Sequence, residues 1–200
     1  MEDCTVCPAG TYLVDVGSSA SLHDAVNDCA ECPSGKYLED DAGSAALHTS
    51  LGSCTNCAEG VYAGTPGSSS CSGCIPGKSA PSTGSTACTS CLPGTYAAST
   101  SSVACTNCET GKHNSAVGQS DCSACSEGTY NGAEGSVTCN LCSGGTFKND
   151  AMAVCETCPE GTFSNPGAPS CSTCEHTSGW VSKAGTEGEE RNACKYCGKR

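Results

Sequence analysis

The chain has 200 residues, a formal net charge of −12 and 22 cysteines, about a tenth of all positions. Leu, Ile, Val and Phe together number only 20, too little apolar surface to offset the chain entropy of a single large core. The acidic balance excludes a nucleic-acid surface, which needs a basic face, and the cysteine content is that of a disulfide scaffold in an oxidising compartment.

From the first residue onward the chain is punctuated by Cys-x-x-Cys. The pairs begin at Cys4, Cys29, Cys54, Cys71, Cys88, Cys105, Cys122, Cys139, Cys155, Cys171 and Cys194. Two steps of 25 residues are followed by five of 17, two of 16 and a last of 23, and a fixed period of this kind marks a repeat architecture. Met1-Glu2-Asp3-Cys4 has neither the basic start nor the apolar run of a signal peptide. No stretch of the sequence is long enough to cross a membrane. The chain therefore reads as a mature piece of a longer secreted protein.

The organisation divides into residues 1–53, two long-loop repeats; 54–174, seven compact repeats of 16–17 residues; and 175–200, an atypical terminal repeat. In the long loops Ser21-Leu22-His23 parallels Ala46-Leu47-His48. Metal ligation by His23 and His48 needs both loops to converge, so a histidine that packs its own loop in each copy is the preferred reading.

A glycine follows the second cysteine at +3 in nine copies, from Gly10 to Gly161, and a second glycine precedes the next cysteine by four at Gly67, Gly84, Gly118, Gly135 and Gly167. Glycine recurring at one phase predicts a backbone position with positive φ, as in a tight turn. Tyr12, Tyr37, Tyr62, Tyr96, Tyr130, Phe147 and Phe163 stand at +5, with Ser79 and His113 filling two other copies. An aromatic there is expected to lie across a neighbouring disulfide and supply the small core of the unit; a sugar-binding ladder is the functional alternative. Between Glu59 and Glu109 the only charge is Lys78. That neutral Ser/Thr/Gly segment is a candidate face for packing against another chain or for O-linked glycans. The final unit holds Trp180 and the run Glu187-Gly188-Glu189-Glu190-Arg191, the kind of atypical unit that caps an array. The basic residues Arg191, Lys195, Lys199 and Arg200 form a solvated terminus or a dibasic processing site.

Three chemistries use Cys-x-x-Cys. Zinc takes two pairs as a tetrahedron of thiolates, but eleven pairs leave one over. Thiol catalysis needs one activated pair at a helix start, and no segment reads as a helix of useful length. Structural disulfides remain, each closing about 15 residues and contributing roughly 3 kcal/mol. Spacing alone does not fix their connectivity. One scheme joins the second cysteine of each pair to the first of the next: Cys7–Cys29, Cys32–Cys54, Cys57–Cys71, Cys74–Cys88, Cys91–Cys105, Cys108–Cys122, Cys125–Cys139, Cys142–Cys155, Cys158–Cys171 and Cys174–Cys194. It leaves Cys4 and Cys197 for intermolecular or flanking-repeat bonds. The rival scheme, a bond inside each Cys-x-x-Cys, leaves no orphan but also leaves the long loops unclosed.

Cys7-Pro8-Ala9-Gly10-Thr11-Tyr12 and Cys158-Pro159-Glu160-Gly161-Thr162-Phe163 resemble the ephrin-receptor-like cysteine-rich repeat, which occurs in tandem arrays in surface proteins of algae and other protists. The unit is also similar to the first module of tumour-necrosis-factor-receptor cysteine-rich domains, whose hairpin disulfide matches the first scheme. The departures are Ser79, His113 and the last loop, where Thr177 replaces the +3 glycine. The resemblance implies an extracellular or cell-surface array with no cofactor and no catalytic role, a component of coats, adhesins or fibres such as flagellar hairs. The expected fold is one of small disulfide-rich repeats, an elongated rod of short β-hairpins with little helix. Units contacting mainly their neighbours would span on the order of 100 Å. The expected partners are further copies of the chain or other extracellular proteins. A receptor or adhesin stalk is the alternative.

Overall fold

The computed structural model describes residues 7–14, 29–39, 50–149 and 154–173, with the backbone of 180–181 and 195–196. Almost all of its regular structure is antiparallel β-hairpin, and the one helical element among the described residues is a 3-10 turn, Leu51–Ser53. Ten hairpins follow one another, each a separate two-stranded sheet. The first pairs Thr11–Leu13 with Cys29–Glu31, the second Lys36–Tyr37 with Thr55–Asn56, and the third Val61–Tyr62 with Ser72–Gly73. The fourth pairs Lys78–Ser79 with Thr89–Ser90 and the fifth Thr95–Tyr96 with Thr106–Asn107. Lys112–His113 with Ser123–Ala124, Thr129–Tyr130 with Asn140–Leu141, and Thr146–Phe147 with Glu156–Thr157 make the sixth to eighth. Thr162–Phe163 with Ser172–Thr173 and Trp180–Val181 with Lys195–Tyr196 complete the series.

An isolated two-stranded hairpin is marginal in water, so each needs support from outside its own ladder. Two compact units divide the chain. One holds Met1–Leu92, Tyr96–Thr106 and Val117–Ser120; the other holds Pro93–Thr95, Asn107–Ala116 and Asp121–Arg200. The same set of backbone hydrogen bonds ties hairpin to hairpin in each.

In the first unit, the third and fourth hairpins show the set in full. Gly60 N–H donates to Ala80 O at 2.8 Å, Cys74 N–H to Gly60 O at 3.1 Å, Gly84 N–H to Cys57 O at 2.7 Å, and Ala63 N–H to Ser85 O at 3.1 Å. In the second unit the eighth and ninth hairpins repeat it: Gly145 N–H to Ser164 O, Cys158 N–H to Gly145 O and Gly167 N–H to Cys142 O, all at 2.9 Å, and Lys148 N–H to Ala168 O at 3.3 Å. Both polar groups of the +3 glycine and of the second cysteine are thus paired. That answers the requirement that buried backbone groups find partners.

Contacts also reach beyond the next repeat. Gly35 and Gly94 adopt φ of +84° and +82°. A Cβ on Gly35 would overlap the carbonyl oxygen of Gly84, with the carbonyl carbon at 2.9 Å; a Cβ on Gly94 would overlap the oxygen of Gly135, again with its carbon at 2.9 Å. Each of these glycines therefore faces a carbonyl two hairpins further on, where the hydrogen in place of the missing side chain makes a Cα–H···O contact. The expectation of contacts mainly between neighbours is corrected accordingly: a unit touches the next and the one after it.

At a second point of this longer contact, a side chain on the returning strand of one hairpin covers a turn glycine two hairpins on. A Cβ on Gly84 would meet Asn56 Oδ1 at 3.6 Å, one on Gly118 would meet Ser90 Cβ at 3.8 Å, and one on Gly135 would meet Asn107 Oδ1 at 3.5 Å. Between the third and fifth hairpins the sizes are exchanged. The turn residue is Ser101, the non-glycine residue with positive φ, at 56°, and the covering residue is Gly73, whose absent Cβ would overlap Ser101 Oγ.

Candidate functional site

Among the described residues, nine disulfides close nine of the hairpins. Cys7 is joined to Cys29 and Cys32 to Cys54, each with a sequence separation of 22. Cys57–Cys71, Cys74–Cys88, Cys91–Cys105, Cys108–Cys122 and Cys125–Cys139 each span 14. Cys142–Cys155 and Cys158–Cys171 each span 13. The bonds run between successive Cys-x-x-Cys pairs, never within one. Their sulfurs therefore carry no thiolate to offer a metal while the bonds are closed.

The core of each unit is the second cysteine of the pair: Cys32, Cys57, Cys74, Cys108 and Cys142 are wholly buried. The +6 position lies beside it. It is Leu38, Ala63, Ala80 and Ala97 in the second to fifth hairpins, then Asn114, Asn131, Lys148 and Ser164 in the sixth to ninth, and all eight are buried. The polar members reach back to a carbonyl of the preceding hairpin. Asn114 Nδ2 donates to Thr95 O at 2.9 Å, Ser164 Oγ to Thr146 O at 2.7 Å, and Asn131 Nδ2 to Lys112 O. Sequence reading missed this position. The signal was present in the run Ala63, Ala80, Ala97 at one phase, but the chemistry of the later copies hides it.

The +5 residue of one hairpin lies against the disulfide of the next. Tyr12 packs on a cluster of Cys32, Cys54 and Leu38. Ser79, at the same phase, places its Oγ 3.4 Å from Cys105 Sγ, and His113 places Nδ1 3.2 Å from Cys139 Sγ. A disulfide sulfur has no hydrogen, so in both contacts the serine hydroxyl or ring N–H is the donor, and the proton of His113 sits on Nδ1. The aromatics themselves are only half-buried. They roof the disulfides, while the cysteines and the +6 residues form the interior.

The seventh disulfide, Cys125–Cys139, has a second basic neighbour. Lys148 is 3% exposed and donates from Nζ to the carbonyl of Cys125 at 3.3 Å. Elsewhere this carbonyl takes a turn amide, as Cys108 takes Gly135 N–H and Cys142 takes Gly167 N–H. The ring nitrogen of His113 and the sulfurs of Cys125 and Cys139 lie within 4.8 Å of one another. That grouping has the donor types of a metal site, but its two sulfurs are bonded to each other.

Cys4, Cys174, Cys194 and Cys197, and with them the Cys174–Cys194 pairing and the end-to-end bonds, lie outside the described residues, as do His23 and His48. Among the described residues no helix is long and apolar enough to cross a membrane.

Residues 111–154 match a family model described as tyrosine-protein kinase ephrin type A/B receptor-like. No curated protein matches the chain. The matched stretch takes in the seventh clasp, Cys125–Cys139, and the second cysteine of the sixth, Cys122, and the same pattern recurs on either side of it. The chain is thus a tandem array of small, disulfide-bonded, cysteine-rich repeats, of which residues 111–154 are similar to the ephrin-receptor-like module.

Proposed function

We propose that the chain is a structural subunit of an extracellular filament, flagellar hair or surface coat, secreted or displayed at the cell surface, and that it acts as a scaffold rather than a catalyst. The observation that carries this reading is the stacking itself. Each repeat offers one set of backbone donors and acceptors to the next and receives the matching set from the one before. A head-to-tail interface of this kind is heterologous, the type that builds an open filament wherever its rotation does not close into a ring.

The neutral segment 60–108, whose one charge is Lys78, favours lateral self-association. Two copies of a chain of net charge −12 repel over most of their surface, and this segment has little charge to repel. It also exposes Ile75 and Leu92, at 62% and 69%. The same exposed Ser and Thr hydroxyls are available for O-linked glycans. The second reading, the stalk or ligand-binding ectodomain of a receptor or adhesin, draws on the receptor-type family description of residues 111–154.

Electron microscopy of material isolated from its native source separates the two. Ordered fibres with an axial repeat, labelled along their length by an antibody to 60–108 only after disruption, support the structural reading. Single unassembled molecules tethered to a membrane overturn it.

A further inference from the structure

Two departures from the repeat pattern converge on one bond. His113 stands where most repeats have Tyr or Phe, and Lys148 stands where the second to fifth repeats have Leu or Ala and the sixth and seventh have Asn. They are 35 positions apart in the chain, yet the imidazole of one donates to Cys139 Sγ at 3.2 Å and the ammonium of the other donates to the carbonyl of Cys125 at 3.3 Å. One cysteine of the Cys125–Cys139 disulfide thus has a basic ring at its sulfur, and the other has a lysine at its backbone carbonyl. The Cys91–Cys105 disulfide, by comparison, has the neutral hydroxyl of Ser79 at the corresponding place.

We infer that Cys125–Cys139 is a thiol–disulfide exchange site built into the array, opened by a small dithiol or by a protein with a vicinal thiol pair. A thiolate leaves more readily when its charge is met, and basic neighbours are what lower a cysteine's pKa. Cys125 is buried and Cys139 half-exposed, so the incoming thiolate reaches Cys139 Sγ. A new S–S bond forms there, the Cys125–Cys139 bond breaks, and its electron pair leaves on Cys125 Sγ. That sulfur lies within 4.8 Å of a ring nitrogen of His113, and the Lys148 ammonium is bound to the backbone carbonyl of the same residue. The second thiol of the reductant, its proton lost to water, then attacks its own mixed-disulfide sulfur and expels Cys139 as thiolate, which accepts a hydrogen bond from the Nδ1–H of His113. The two protons released by the dithiol return through water to Cys125 and Cys139. In sum the dithiol becomes a disulfide, Cys125 and Cys139 become thiols, and two electrons and two protons have moved.

Other charged groups near the site are Lys112, paired with Glu109 at 3.3 Å, and Glu127, exposed two residues after Cys125. The charge of Lys112 is met by Glu109 at the surface. Glu127 opposes the basic groups from solvent, where its charge is screened.

The test uses the full oxidised chain with limiting dithiothreitol at neutral pH, acid quenching, alkylation and peptide mapping. Cys125 and Cys139 should be alkylated about tenfold sooner than the Cys91–Cys105 and Cys108–Cys122 pairs. His113→Phe restores the aromatic of the other repeats, keeps the packing and should abolish that lead. A better-packed variant also opens less often, so a second readout is needed. After selective reduction, the pH dependence of iodoacetamide alkylation at Cys139 should lie below the ordinary thiol value of about 8.5 and return to it in His113→Phe. Reduction of Cys125–Cys139 no faster than its neighbours, or an alkylation profile unmoved by His113→Phe, overturns the inference.

Discussion

The exchanged pair Gly73 and Ser101 supplies the sharpest test of the longer-range contact. At the corresponding place in other repeats a side chain such as Asn107 covers a glycine such as Gly135. Replacing Gly73 by Asn puts a Cβ where Ser101 Oγ now lies, and overpacking of this kind costs about 1–3 kcal/mol. Ser101→Gly alone relieves a left-handed conformation at φ 56°, a gain of about 1 kcal/mol, offset by the roughly 0.5–1 kcal/mol of extra chain entropy that glycine loses on folding. Its net effect is near zero. The double variant recreates the Asn107/Gly135 arrangement and should recover most of what Gly73→Asn loses, so the coupling between the two sites is about 1–3 kcal/mol. Native-state amide exchange under oxidising conditions reads this locally. The informative amides are that of residue 101, bonded to Cys74 O at 2.7 Å, and that of Ala80, bonded to Ser102 O at 3.1 Å. A double variant whose loss of protection equals the sum of the two single losses would refute the compensation, and with it the claim that the third and fifth hairpins touch.

Three further outcomes follow from the same geometry. Gly94→Ala should cost more than Gly118→Ala, because both have positive φ, +82° and +74°, but only the first would drive a Cβ into a carbonyl, while at the second it would meet Ser90 Cβ at an ordinary 3.8 Å. The common backbone penalty is about 1–2 kcal/mol, and the excess, read by thermal unfolding, measures the contact with Gly135. Asn131→Asp should destabilise by about 1–3 kcal/mol, because it replaces the amide donor to Lys112 O with an acceptor; exchange at Gly111, whose amide bonds Asn131 O at 3.2 Å, should rise. Lys148→Met keeps the buried stem but strips the carbonyl of Cys125 of its Nζ donor, at a cost of about 1–3 kcal/mol, visible as faster exchange at Gly128, whose amide donates to Lys148 O at 2.7 Å.

The hairpins and the scarcity of helix were legible because a single phase carries both signals: glycine where φ must be positive, as at Gly35 and Gly94, and a β-favouring residue two places later. What a period does not contain is the geometry between copies. Nothing in the spacing of Gly35 and Gly84 says that they meet two units apart, since that depends on how each repeat is turned on the last. The +6 position was invisible for a different reason. Leu38, Ala97, Asn131 and Lys148 share burial but not chemistry, and a reader of patterns groups residues by chemistry. The histidine at 113 was noticed as a gap in the aromatic column, yet its partner Lys148 was not. The two meet only because one reaches forward and the other back onto the hairpin between them.

The disulfides of the first two repeats join cysteines 22 positions apart, against 14 or 13 in the compact ones. The contacts at Cys32 are nevertheless of the ordinary kind: Cys32 N–H meets Gly10 O at 2.8 Å, and Gly67 N–H meets Cys32 O at 2.9 Å. Stacking is set by positions close to the cysteines and by a few turn residues, such as Gly67 and Gly84, that stand four places ahead of the closing cysteine. Loop length and assembly are thus separate variables in this design. Added residues in a loop lengthen the closed ring only slightly in entropic terms, since each doubling costs about 0.6 kcal/mol. Such an array can acquire new surface features one loop at a time, a tag or a recognition segment included, without renegotiating how its repeats fit together.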